Sequence, residues 1–237
     1  AAALLAASAL PSDAASARGA FSRRAPAYAR VSAWIDATLP ADARLESWVC
    51  QPLALLSGRP VVCPVAREPR EAWIADLLRD GVGWVHEGAR WSPDGFFPPA
   101  QRRFAREREA WLEDPRYFRL AYEDPADGAV YRLALRDPAR FRRAWRAFEE
   151  AAAALRRGDR RTLDARLRET TRLDPGFANA WAMRALLQKD PRRALALTRR
   201  AAAADPASDD IRAQLAALER AAARASARHL PASAGVQ

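Results

Sequence analysis

The 237-residue chain has little of what many protein classes are built from. Its two cysteines, Cys50 and Cys63, are too few for a disulfide scaffold or a four-cysteine zinc site. Its two histidines, His86 and His229, leave little for a histidine-built metal or catalytic centre. Only 10 residues are glycine, which excludes collagen-like and glycine-linker sequence. No run reaches the roughly 18 apolar residues of a complete membrane span. Lysine is almost missing too: Lys189 stands alone among 39 basic side chains. Arginine in place of lysine, with abundant alanine, matches a GC-biased coding sequence, so the arginine total is not by itself a functional signal.

What is present is a core and a charge step. Half the residues are apolar, enough to bury a core and unlike a disordered tail. The formal charge is +10. Residues 1–135 hold 17 basic and 17 acidic side chains, and residues 136–237 hold 22 and 12, so the whole excess lies in the second part. Such a step predicts two units with different surfaces.

Residues 1–10, AAALLAASAL, are apolar or small, and Pro11 closes them. Ten helical residues rise about 15 Å, half a bilayer core. Three readings stand: the end of a membrane helix, the end of a signal-peptide apolar region, or a soluble alanine-rich helix end. Residues 11–26 are polar and small and read as a linker.

Residues 27–136 alternate between helix and strand signals. Tyr28, Val31, Trp34, Ile35 and Leu39 fall at helical spacing over 27–39. Strands are predicted at 44–50, 60–65, 83–87, 116–122 and 129–135. Helices are predicted at 51–58, ended by Gly58, at 70–80 with Trp73, Ile74, Leu77 and Leu78 on one face, and at 99–112 with Phe104 and Trp111. Residues 92–99 read as a turn, and Asp124–Gly128 as a hairpin turn. Alternation predicts a layered α/β sheet with an antiparallel edge. The first connection, counted as 51–59, is shorter than the dozen residues of a parallel crossover, so an antiparallel first pair is open.

Residues 137–228 carry no strand signal. Asp-Pro recurs at 137–138, 174–175, 190–191 and 205–206. Aspartate accepts orphan N–H bonds at a helix start and proline has no N–H to leave unpaired there, so the pairs predict helix starts. Helices are predicted at 138–157, 160–173, 177–188, 191–204 and 207–227, and 229–237 reads as a disordered tail. The stretch from Gly158-Asp159 to Leu173-Asp174-Pro175 resembles the tetratricopeptide repeat in its turn and closing proline. Trp181 falls where that repeat carries a large aromatic and Ala185 where it takes a small residue; Ala194, Ala201 and Pro206 keep the register. Arg184 and Gln188 depart from it, and the repeat from Pro175 to Pro206 is 31 residues against about 34. The fold class predicted is an α/β layered sheet domain followed by an all-α, TPR-like helical-repeat domain.

A second resemblance covers about 27–135. It is carried by Val31-Ser32-Ala33-Trp34-Ile35 with Leu39-Pro40-Ala41-Asp42-Ala43, and by Leu55-Leu56-Ser57-Gly58-Arg59-Pro60-Val61-Val62. Gly81-Val82-Gly83-Trp84-Val85-His86, Phe118-Arg119-Leu120-Ala121-Tyr122 and Val130-Tyr131-Arg132-Leu133 complete it. In order and spacing these segments resemble the extracytoplasmic C-terminal domain of GT-C type membrane glycosyltransferases, the protein-mannosyltransferase and aminoarabinose-transferase relatives. The resemblance implies an extracytoplasmic part of a cell-membrane enzyme using a polyprenyl-phosphate sugar. Its catalytic acid lies in an early loop outside this chain, so no catalytic residue is carried over.

The residues themselves agree with a chain without its own chemistry. A nucleophile needs a neighbouring base. His86 on its strand, with no GxSxG elbow, reads as a core or rim histidine. Cys50, Cys63 and His86 match no metal-ligand spacing. Two buried free thiols are the favoured reading for the cysteines; a disulfide is the alternative if their strands are neighbours outside the cytoplasm. Glu113-Asp114, Glu123-Asp124 and Asp209-Asp210 sit in turns or at a helix start. Gly81-Val82-Gly83 is too short for a phosphate loop. No catalytic, cofactor-binding or metal-binding residue is assigned, and no cofactor. Trp73, Trp111 and Trp145 read as core. Trp91, in a polar loop, reads as satellite packing, with a glycan or membrane-interface contact as the alternative.

The run Arg156, Arg157, Arg160, Arg161, Arg166, Arg168, Arg172 lacks interleaved aromatics, which argues against nucleic acid. It reads as a solvated face, with anionic lipid or glycan phosphate as the alternative partner. The expected function is the non-catalytic part of a membrane glycosyltransferase whose repeats recruit a protein partner or acceptor. The membrane is reached through upstream spans. The alternative is a secreted or membrane-anchored TPR-type interaction module, binding through the concave face of its helix pairs with Trp181 and nearby arginines.

Overall fold

The computed structural model describes residues 28–67, 69–88 and 99–228. The membrane-end or signal segment and linker (1–26), the 92–98 turn, Trp91 and the 229–237 tail lie outside the described residues. The chain divides into two compact units. One takes residues up to Ala66, Leu77–Arg102 and Leu112–Ala134; the other takes Arg67–Asp76, Arg103–Trp111 and the chain from Leu135 onward. Residues 67–76 and 103–111 thus group with the helices that follow 136.

The first unit holds helix α1 (28–38) and the strands β1 (Arg44–Ser47), β2 (Val61–Val62), β3 (Val82–Glu87), β4 (Phe118–Asp124) and β5 (Gly128–Leu133). Helix α2 (Cys50–Ser57) joins β1 to β2. The sheet order is β2-β1-β3-β5-β4. β1 is parallel to both β2 and β3, while β5 is antiparallel to β3 and β4. An α/β sheet with an antiparallel edge is what the alternation predicts.

The first pair is parallel, which closes the antiparallel option. β1 ends at Ser47, so the connection is residues 48–60, about the dozen that a parallel crossover requires. α2 fills that connection. It stops at Gly58, which takes φ +62° and donates its N–H to the Ala54 carbonyl, a left-handed turn that a side chain would strain. β2 is two residues, not six. Pro60 and Pro64 flank it, and a proline has no N–H to give the ladder.

Cys50 opens α2 and Cys63 follows β2, and the two form a disulfide. This corrects the free-thiol reading. The parallel β1–β2 pairing brings the two Cα atoms to 5.1 Å, within reach of a disulfide. The core of the unit gathers Val31, Ile35 and Leu39 of the first segment with Leu45, Val49, Leu53 and Val130; Trp34, Trp84 and Tyr122 pack on it. Each such side chain contributes about 1.5–3 kcal/mol when fully buried.

The second unit is helical: α5 (Pro138–Arg156), α6 (Arg160–Leu173), α7 (Ala178–Leu186), α8 (Pro191–Ala204) and α9 (Asp209–Arg228). Each packs on the next. The starts follow the caps. Asp137 accepts the Arg140 N–H with Pro138 in the first turn, Asp159 accepts from Thr162, and Asp190 accepts from Arg192 with Pro191 in the first turn. The other two Asp-Pro pairs do the opposite. Asp174 and Asp205 close α6 and α8, and their side chains accept the N–H of Gly176 and Ala207 in the turn that follows. Those turns need extra residues, so α7 and α9 begin later, at Ala178 and Asp209.

Helix α3 (Arg70–Arg79) and helix α4 (Pro99–Leu112) supply the two inserted segments. Phe177, which precedes α7, has no side-chain cap to offer. Glu71 serves instead: it accepts the Ala178 N–H at 3.0 Å and the Asn179 side-chain amide at 3.2 Å. Glu107 likewise accepts the Asp209 N–H at the start of α9. Both place a carboxylate at the positive end of a helix dipole. Arg70 is buried beside Glu71 and donates to the carbonyls of Ala204 and Gly176. Trp73, Phe104 and Trp111 pack edge-to-face or tilted with ring centroids 5.9–6.1 Å apart, and Trp73 and Trp111 are core as predicted. Trp145 is partly buried against the α5–α7 core. Among the described residues no helix is long and apolar enough to cross a membrane.

Candidate functional site

Two polar clusters could carry function, one in each unit. The first lies at the C-terminal ends of the neighbouring parallel strands β1 and β3, where Ser47 and His86 are register partners. In the first unit the chain leaves β1 toward β2 and returns to β3 on the other side of β1, and such reversals are where open α/β sheets bind ligands. Ser47 Oγ stands 2.9 Å from His86 Nδ1, and His86 Nε2 stands 2.9 Å from the Asp127 backbone carbonyl. A carbonyl only accepts, so in the neutral imidazole Nε2 carries the proton and Nδ1 accepts from the Ser47 hydroxyl. Ser47 Oγ in turn accepts the Val49 N–H.

The proton order is that of a serine beside a base, yet the cluster has no way to act as one. Ser47, His86 and Asp127 are each 0 % exposed. The Asp127 carboxylate does not orient the imidazole. Its Oδ2 accepts the Val31 N–H in the first turn of α1, and Arg30 lies 3.9 Å from its Oδ1. A nucleophile needs an approach for substrate as well as a base. The three residues instead fasten β1, β3, α1 and the β4–β5 turn together. His86 is a core histidine.

The paired carboxylates have turn and cap roles. Asp114 accepts the Arg116 N–H and its guanidinium. Asp124 accepts the N–H of Ala126 and Asp127 across the hairpin turn and pairs with Arg30 at 2.9 Å. The backbone bond from Ala126 comes first in holding the Asp124 carboxyl below its ordinary range. That turn closes on Gly128 at φ +93°, where the left-handed region favours glycine. Asp209 bonds Arg212, and Asp210 meets Arg103 at 2.9 Å. Among the described residues no group of three or more His, Cys, Asp or Glu is placed to hold a metal ion.

The second cluster is on the helical unit. Two guanidinium groups lie against the Trp181 ring: the Arg184 Cζ is 4.9 Å from its centroid and the Arg200 Cζ 5.3 Å. Trp181 Nε1 donates to the Pro175 carbonyl at 2.9 Å, which pins the ring over the α6–α7 turn. Arg184 donates to Thr171 Oγ1 at 2.9 Å. Burial lowers the Arg184 pKa first; Asp164 opposes this, and repulsion from Arg168 and Arg200 adds to it. The arginine run is partly neutralised nearby: Arg166 pairs with Glu150 and Glu169, Arg168 with Asp164, and Arg160 donates to the Leu187 carbonyl.

Trp181 and the departure at Arg184 stand out in the repeat pattern of the sequence; Arg200 does not. The i, i+3 spacing of Trp181 and Arg184 was a legible signal for one half of the pair. The other half comes from α8 and is brought in by packing. No protein-family model, no curated protein and no solved structure matches this chain.

Proposed function

We propose that this chain is the non-catalytic extracytoplasmic C-terminal part of a polytopic membrane glycosyltransferase using a polyprenyl-phosphate sugar donor. Its TPR-like helix pairs recruit a protein partner or acceptor. The observation that carries this reading is the Cys50–Cys63 disulfide, because such bonds form and persist in oxidising compartments. The burial of Ser47, His86 and Asp127 supports it from the other side, since it closes the Ser47–His86 pair to substrate. The uncharged helix α2 exposes Leu55 and Leu56, an apolar surface suited to lie against the membrane part. Transfer itself belongs to residues outside this chain.

A second reading has its own support. The Trp181 cluster is accessible and lies wholly on the helical unit, so a secreted or anchored interaction module would need nothing more. Reading the coding DNA upstream of Ala1 separates the two. Many apolar spans with acidic residues in the first outer loop are the expected result. A start codon and signal peptide within about 30 residues would overturn the transferase reading and leave the interaction module.

A further inference from the structure

Several arginines of this unit find a carboxylate. Arg166, Arg168, Arg199 and Arg212 all form ion pairs. Arg184 and Arg200 are different: among the described residues neither is ion-paired, although both are held against one indole. Arg184 Nε is buried with no acceptor. Asp164, the acid whose charge acts on Arg184, is engaged by Arg168 at 2.7 Å. The cluster therefore concentrates two positive charges on one π face, with Asp164 acting on Arg184 at longer range, and a cation–π contact contributes about 0.5–2 kcal/mol. The ring is fixed by the Pro175 carbonyl and Arg184 by Thr171, while Arg200 is exposed to solvent.

We propose that Trp181, Arg184 and Arg200 form a binding site for a phosphate monoester. Two guanidinium groups match the charge of a phosphomonoester, about −1.5 to −2 at pH 7. The planar guanidinium fork matches the geometry of phosphate oxygens, giving short charge-assisted bonds. Stacking on Trp181 holds the forks before the ligand arrives, which reduces the ordering cost of binding. The same chemistry reaches the protein from two sources, a soluble phosphorylated sugar or a phosphomonoester lipid headgroup. The site does not depend on the transferase reading. A signal peptide just upstream would remove that reading and leave this one standing.

The test is a titration of the whole chain with methyl phosphate, followed by NMR at the Trp181 indole N–H, assigned with Trp181→Phe. The expected result is a saturable shift that Arg200→Gln weakens by at least about tenfold, the loss of one charge-assisted bond. Arg200→Lys, which keeps the charge and loses the fork, should fall between the two. Arg143→Gln removes an exposed charge from α5 and should bind like the parent chain. Circular dichroism checks that each variant is folded. Capture on phosphatidylcholine vesicles containing phosphatidic acid, competed by methyl phosphate, would assign the lipid source; binding in solution alone would assign the soluble one. An unmoved Trp181 signal would overturn the proposal. So would equal weakening by Arg143→Gln and Arg200→Gln, because diffuse attraction to a basic surface would then be the whole effect.

Discussion

In the α/β unit, Ser47, His86 and Asp127 meet with no exposed atom among their side chains, and each finds a partner in a neighbouring element. In the helical unit, Arg184 and Arg200 meet Trp181 at a surface, and among the described residues neither is ion-paired. The first arrangement contains residue types that catalyse in other proteins, and here they hold strands together. The second gathers two like charges on one ring. Residue type therefore says less than burial and partner count. Hydrogen-bonded polar groups inside a core specify structure, while guanidinium groups held against a partly accessible ring are the place where the proposed binding is tested.

The sharpest way to break the comparison is to make a satisfied buried charge unsatisfied. Glu71→Ala should remove the cap of α7 and leave the Arg70 charge in the core without this carboxylate. The expected loss is about 4 kcal/mol, read by urea unfolding of the whole chain. A change under 1 kcal/mol, by order of magnitude no more than a surface pair, would show that the ion pair is not structural. Next in size is the disulfide. Cys50→Ser with Cys63→Ser opens a loop of sequence separation 13. The expected cost is about 3 kcal/mol in the chain-entropy model, and an equal loss on mild reduction of the parent chain would confirm the bond.

His86→Leu tests the buried cluster itself. It leaves the Ser47 hydroxyl and the Asp127 carbonyl without their partner, at a cost of about 2 kcal/mol. The Trp181 response to methyl phosphate should not change. Loss of that response in a folded variant would join what the comparison separates.

The smallest effects are in pH. Asp205 accepts from Trp111 Nε1 and the Ala207 N–H, yet burial raises its pKa above the ordinary 3.8. A raised carboxyl binds its proton more tightly in the folded state. Its stabilisation is present below the ordinary value and is lost as pH rises through the raised one. Asp159, at the start of α6, is lowered by the Thr162 side-chain and backbone bonds, so its stabilisation is present above 3.8 and lost as pH falls through the lowered value. Asp205→Asn should flatten the decline on the alkaline side of 3.8, and Asp159→Asn the decline on the acid side. Unfolding midpoints across the pH range would check both.

Much of the helical order was legible because its signals are local. Helices 99–112, 160–173 and 191–204 end where caps and apolar spacing put them, and Asp159 and Asp190 cap as their side chains allow. Asp174 and Asp205 misled because Asp-Pro closes a helix as readily as it opens one, and only the residues after the proline decide. The sheet was less legible. Trp48 and Val49 extend the apolar pattern of β1, which hid the length of the crossover and with it the parallel pairing and the disulfide. Of the two clusters, only Trp181 and Arg184 share an element. Ser47 meets His86, and Arg200 meets Trp181, through packing that no local pattern carries.

The most direct test of the account is a transfer assay on membranes carrying the whole gene product, using radiolabelled polyprenyl-phosphate hexoses. The prediction is measurable transfer that Ser47→Ala leaves unchanged. No transfer from any of the hexoses, or transfer abolished by Ser47→Ala in a folded protein, would contradict it.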